Sequence, residues 1–135
     1  MTGTLEMLQA QPEAPGSELL GPLAAFVDSA LACTQACTAC ASGSIAEPEA
    51  AGLAACIAAC LDCADLCAAT ARILSRPATE ARRESVVALV EACAGLCELS
   101  ARECFQHELH HRHCALCKTA CRACLDACEK LLEVL

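Results

Sequence analysis

Cys114-Ala-Leu-Cys117-Lys-Thr-Ala-Cys121-Arg-Ala-Cys124-Leu-Asp-Ala-Cys128 places five thiols at gaps of three, four, three and four residues. On an α-helix, side chains three and four apart are stacked neighbours with Cβ atoms about 5–6 Å apart, so the spacing predicts one continuous sulfur seam. The seam runs on into Leu131 and Leu135. A stripe alternating three and four over several turns is what buries a helix against others in a left-handed bundle. In this chain the buried stripe is sulfur.

The same period recurs three times upstream. A first helix is predicted over residues 17–42, starting between Ser17 and Pro22 and ending at Ser42-Gly43-Ser44, with Leu23, Phe26, Ala30, Cys33, Cys37 and Cys40 on its stripe. Proline is tolerated in a first turn because its missing N–H has no intrahelical partner there. A second is predicted over 48–75, opening at Glu47-Pro48 and stopped by Arg76-Pro77, with stripe Leu53, Cys56, Cys60, Cys63, Cys67, Thr70 and Leu74. A third, over 79–109 with Thr79 as N-cap, carries Val86, Val90, Cys93, Cys97, Ser100, Cys104 and His107. Ser100 stands where the pattern expects another cysteine. The fourth, over 113–133, is the opening seam.

Short connections favour antiparallel neighbours. Residues 17–135 are therefore predicted to form an all-α, antiparallel up-down four-helix bundle with a cysteine-lined core, and residues 1–16 a short N-terminal leader. With a rise of about 1.5 Å per residue, Cys40, Cys56, Cys104 and Cys114 gather at one end, beside His107, His110, His111 and His113. Leu23, Phe26, Ile73, Leu74, Val86, Val90, Leu131 and Leu135 plug the other.

A length of 135 residues suits one domain with one core. Trp and Tyr are absent and only Phe26 and Phe105 are aromatic, so the core is narrow and built from small side chains. Fifteen cysteines would suit a disulfide scaffold in a secreted chain. Against that stand the odd count, the helical spacing and the Cβ separation of i, i+4 pairs, which exceeds the roughly 3.5–4.5 Å a disulfide needs. Residues 1–71 hold eight acidic and no basic side chains, and residues 72–135 nine of each, so the net charge of −8 lies in the first half. That balance argues against a nucleic-acid partner. The first basic residue is Arg72, which leaves no basic signal region or twin-arginine pair ahead of the bundle. Asp62 and Asp65 interrupt the most hydrophobic helix, so no run of about 18 uninterrupted apolar residues offers a membrane span. A cytosolic chain with no membrane partner is expected.

A buried cysteine is ordinarily a small hydrophobe. Fifteen on four inward seams, where Ala, Val or Leu would serve as well, point to a soft metal held by many sulfurs. Charge selects among metals. Filling such a core with Zn(II) at four thiolates per ion leaves two buried negative charges per site, which is costly. A Cu(I) ion that replaces one thiol proton leaves the core neutral, so roughly one ion per cysteine accumulates without mounting Coulomb energy. A ladder of thiols on one helix, moreover, supplies no tetrahedral corners for zinc.

Cys104-x-x-His107, followed by His113-Cys114-x-x-Cys117-x-x-x-Cys121-x-x-Cys124-x-x-x-Cys128, is supported by Cys33-x-x-x-Cys37-x-x-Cys40 and Cys56-x-x-x-Cys60-x-x-Cys63-x-x-x-Cys67. This pattern resembles the cytosolic copper storage proteins of bacteria, over about residues 20–130. The resemblance implies a store of many Cu(I) ions on Cys33, Cys37, Cys40, Cys56, Cys60, Cys63, Cys67, Cys93, Cys97, Cys104, Cys114, Cys117, Cys121, Cys124 and Cys128, and the sequence, with no nucleotide loop, Ser-His-Asp constellation or paired-carboxylate site, is expected to be non-enzymatic. The resemblance also implies uptake at an open, histidine-bearing end and assembly into homotetramers. His107 and His113 match the motif, whereas His110 and His111 are additional to it. Ser100 departs from the seam and puts one two-sulfur site in doubt. No sequence feature names the chaperone or chelator that delivers or withdraws copper.

Three other readings compete. Zinc buffering would give about one metal per four cysteines. An iron-sulfur protein would draw on the recurring Cys-x-x-Cys spacings, yet ferredoxin-type clusters sit in loops, with Pro after the last cysteine, and no Pro follows Cys128. A thiol redox enzyme needs one cysteine in an electropositive setting, and none is marked out.

Overall fold

The computed structural model describes residues 3–76 and 79–135. Its helices are α1 (Thr4–Gln9), α2 (Ser17–Ala46), α3 (Ala54–Leu74), α4 (Arg83–Phe105) and α5 (Arg112–Val134), with 3-10 turns at Ala50–Leu53 and Glu80–Arg82. The four long helices form a ring in which α2 packs on α3, α3 on α4, α4 on α5 and α5 back on α2. The diagonal pairs approach only through side chains that meet in the middle. That is the up-down four-helix bundle the stripes predict, and its core is the cysteine seams. All fifteen cysteines are free and buried.

The helix ends differ from the sequence expectation. The first long helix does not stop at Ser42-Gly43-Ser44 but runs to Ala46, because Ser44 is itself buried and its carbonyl accepts the Glu47 N–H at 3.2 Å. It starts at Ser17, which leaves Pro22 inside the helix rather than in its first turn. Leu19 and Leu20 pack on the core and hold that extra turn in place. The second helix proper opens at Ala54, not residue 48, after the 3-10 turn that buries Leu53. At its other end the Ser75 hydroxyl and amide both donate to the Ala71 carbonyl, at 2.7 and 3.1 Å. Pro77, assigned to that stop, lies outside the described residues. Thr79 heads the 3-10 turn with an extended backbone but makes no side-chain cap bond; its carbonyl accepts the Arg82 N–H at 3.0 Å. The third long helix ends at Phe105, not near residue 109, and the chain turns through His107–His110 into α5.

Residues Thr4–Gln9 form a short helix laid on α2, with Leu8 buried in the common core and the Thr4 hydroxyl bonded to Asp28. Ser17–Ala46 and Ala50–Leu74 are long and apolar enough to cross a membrane, with mean hydropathies of 1.3 and 1.7. The aspartates in α3 do not prevent this, because hydropathy averages over the window. In the bundle the inward stripes of both helices are buried among thiols.

Candidate metal centre

Because α2 to α5 each bring a sulfur stripe to the axis, the core thiols meet in three dimensions. Neighbouring sulfurs lie 3.3 Å apart at Cys67 and Cys93, 3.5 Å at Cys37 and Cys121, and 3.7 to 3.9 Å at most other contacts. Two diagonal contacts cross the axis, Cys60 to Cys117 at 3.8 Å and Cys37 to the Ser100 hydroxyl at 3.8 Å. A metal–sulfur bond of about 2.3 Å gives sulfur–sulfur edges of about 4 Å in a trigonal site and about 3.8 Å in a tetrahedral one. The column is already spaced for metal.

Four-sulfur groups are present, among them Cys40, Cys56, Cys60 and Cys104, and Cys67, Cys93, Cys97 and Cys124. This corrects the expectation that the seams offer no tetrahedral corners. One ladder offers none, but four converging ladders do. Geometry alone therefore does not exclude zinc, and charge must decide. The groups also share sulfurs, since Cys33, Cys67 and Cys97 each belong to more than one. Independent four-thiolate sites could not all be filled at once.

The buried thiols control one another's protonation. S–H donors on Cys104, Cys117 and Cys56 hold Cys40 well below the usual thiol range. Burial, then the charge of Cys40, push Cys114 up to about 12. Hydrogen bonding to Cys104 and Cys40 and burial raise Cys56 far above the ordinary value. A thiolate at Cys40 is thus favoured at the outer end while Cys56 and Cys114 are held neutral.

Cys40 is also where the histidines begin. His113 Nδ1 lies 3.4 Å from Cys40 Sγ and 3.6 Å from Cys114 Sγ, and its Nε2 lies 3.2 Å from Glu47 Oε1. Burial opposes a charge on the ring, but the hydrogen bonds and charges of Cys40 and Glu47 outweigh it and raise the His113 pKa. His111 caps α5 with an extended backbone that turns its ring inward. There it is 8% exposed, stacked on His113 at 5.3 Å, with Nε2 2.8 Å from Glu49 and Nδ1 3.4 Å from Glu47. His107 and His110 sit further out, lining a shallow depression of about 200 Å³ with Glu49, Gly52, Leu53 and His111. The motif favours His107 and His113, whereas the fold brings His111 and His113 together.

Sequence reasoning missed Glu47, Glu49 and Gly43. The two glutamates were legible only as part of an acidic first half, since nothing in their spacing pairs them with histidines sixty residues on. Gly43 reads as a helix stop, yet it lies within the last turn of α2, against the His113 ring.

A sequence model of the copper storage protein family matches residues 21–133. Among curated protein sequences none matches. Among solved structures, the chain is similar to the copper storage protein Ccsp of Streptomyces lividans loaded with 10 copper equivalents. The identity is 39%, the TM-score 0.92, and the match covers 98% of this chain and 99% of that one. A second structure, of copper loading to the cytosolic copper storage protein of the same organism with five coppers, is 43% identical over 84% of this chain and 94% of that one, with a TM-score of 0.81.

Proposed function

The chain belongs to the copper storage protein family, and from that premise we propose that it stores Cu(I) in the cytosol at about one ion per cysteine, with no enzymatic step. The observation that carries this reading is the column of fifteen free, buried thiols, most of which lie 3.3 to 3.9 Å from another. Each Cu(I) displaces one thiol proton and leaves its site uncharged, so the whole column fills without accumulating buried charge. All fifteen cysteines act as ligands in this proposal.

No cysteine is more than 1% exposed, so copper must be handed inward by something at the surface. His113, with one ring nitrogen toward Cys40 and Cys114, is the first such donor, and His111 and the outer pair His107 and His110 make the approach to it. Glu47 and Glu49 attract the cation and orient the rings.

An anaerobic titration of fully reduced protein with Cu(I) against a calibrated chelator tests the proposal. A plateau near one ion for each of the 15 cysteines supports it. A plateau of about one to four ions overturns it in favour of zinc or iron-sulfur chemistry. The homotetramer implied by the family pattern belongs to the same proposal. Exposed leucines on the outer helix faces, such as Leu31, Leu61 and Leu116, supply apolar surface for it. Sedimentation at the mass of one chain would exclude it.

A further inference from the structure

Three carboxylate contacts converge on two imidazoles at the mouth. His111 Nε2 lies 2.8 Å from Glu49 Oε1, His111 Nδ1 lies 3.4 Å from Glu47 Oε1, and His113 Nε2 lies 3.2 Å from the same Glu47 oxygen. An ionised carboxylate only accepts, and a neutral imidazole carries a single N–H. Two rings therefore bring two protons to three contacts, and one ring lone pair is left facing a carboxylate. The shortest contact assigns it. Glu49 takes the Nε2–H of His111, so the bare Nδ1 of that ring points at Glu47. Only a cation relieves that opposition: a proton with a single charge, or a metal ion that bonds the nitrogens and the oxygen together.

The spacing fits a metal ion. Zinc bonds imidazole nitrogen and carboxylate oxygen at about 2.0–2.2 Å, which sets tetrahedral edges at about 3.3–3.6 Å. The two nitrogen–oxygen edges here are 3.4 and 3.2 Å. The rings are near-parallel, with centroids 5.3 Å apart and planes at 22°, so both nitrogens turn to one oxygen. Glu49 on the far nitrogen of His111 is the outer carboxylate that fixes the tautomer of a metal-bound histidine. We propose that His111 Nδ1, His113 Nε2 and Glu47 bind one divalent cation of the zinc class at the mouth, outside the sulfur column. Nitrogen and oxygen donors suit such an ion, whereas Cu(I) goes on to the softer thiolates. His113 and Glu47 are partly exposed, so the ion enters from solvent and water takes its fourth position. The ion also withdraws His113 from copper transfer. With Nε2 bonded, the ring proton sits on Nδ1 and is donated to Cys40 Sγ, 3.4 Å away. No lone pair is then left on Nδ1 for Cu(I), and the bound ion closes the filled column.

The closing role rests on the proposed core storage of Cu(I), whereas the site itself does not. Protein filled anaerobically with Cu(I) is dialysed against Zn(II), and both metals are counted per chain by elemental analysis. About one Zn(II) should bind. His111→Ala and Glu47→Gln should each abolish that ion, and Glu49→Gln should weaken it roughly tenfold. Co(II) in place of Zn(II) should give weak ligand-field bands without sulfur-to-cobalt charge transfer. Bound Zn(II) should slow Cu(I) withdrawal by an excess of Cu(I)-selective chelator from the wild type, and have no effect on the rate from His111→Ala. Far-UV circular dichroism checks that each variant is folded, and Glu47→Gln, which keeps the side-chain shape, keeps the test informative should His111→Ala misfold. A copper-filled wild type that binds no zinc, zinc held equally well by both variants, or sulfur-to-cobalt charge transfer in copper-filled protein overturns the site. Withdrawal at one rate with and without Zn(II) overturns the closing role. A copper plateau of about one to four ions overturns storage, and the ion lost on His111→Ala then still reports the mouth site by difference.

Discussion

Gly43 in α2 lies against the ring of His113 in α5: a β-carbon on Gly43 would stand 3.2 Å from Cδ2 and 3.4 Å from Cγ and Nε2 of that imidazole. Contacts that short force one partner to yield. The ring has little room to do so, because Cys40 and Cys114 hold its Nδ1 side and Glu47 its Nε2 side.

Gly43→Ala therefore sets two effects against each other. Alanine favours the helix interior by about 1 kcal/mol over glycine, while the displaced ring loses its register with Cys40. The expected outcome is Cu(I) uptake slowed roughly tenfold with final capacity unchanged, read by stopped-flow charge-transfer absorbance. Wild-type uptake in the variant would show that His113 is not a step in admission.

Glu47→Gln keeps the shape but removes the charge beside His113. The His113 pKa is raised in the folded chain, so the protonated ring stabilises the apo fold. That stabilisation is complete below the unfolded value of about 6.5 and is lost as pH rises through the higher folded value. The urea midpoint of wild type minus that of His113→Asn should accordingly shrink as pH rises from below about 6.5. In the Glu47→Gln background the dependence should flatten. A difference that grows with pH would reverse the assignment.

Thr70 is fully buried and its hydroxyl has no hydrogen-bond partner among the described residues. An unsatisfied buried hydroxyl costs about 1–3 kcal/mol, and valine has nearly the same shape. Thr70→Val should raise apo stability by about 1 kcal/mol by chemical denaturation, with copper capacity unaltered. A loss of capacity would instead make the hydroxyl part of the store.

The bundle was legible because sulfur recurs at helical spacing on four segments, and every cysteine named from that period is buried. The helix ends were not, because they depend on tertiary contacts: Gly43 breaks a helix by propensity but here admits a ring from another helix. The ranking of the histidines failed to anticipate the fold for a similar reason. His111 owes its burial to its place at the start of α5 and to Glu47 and Glu49 across the mouth, pairings that no local pattern encodes. Ser100 was visible as a gap in one stripe. That its hydroxyl meets Cys121, Cys60 and Cys37 became visible once the other three stripes surrounded it.

The metal-free chain should already be folded. Phe26, Leu53, Val90 and Leu131 are fully buried apolar side chains, and neighbouring thiols lie within hydrogen-bond contact of one another. An interior of this kind is stabilised by apolar burial, unlike a zinc finger, whose ligands order only on binding. Far-UV circular dichroism of reduced apo protein should show nearly the helicity of the loaded form. Copper should raise the melting temperature by mass action, since it binds the folded column more tightly than scattered thiols. A largely unfolded apo spectrum would mean that the column is assembled by the ions, and that the sulfur spacings describe a loaded state rather than a preformed one.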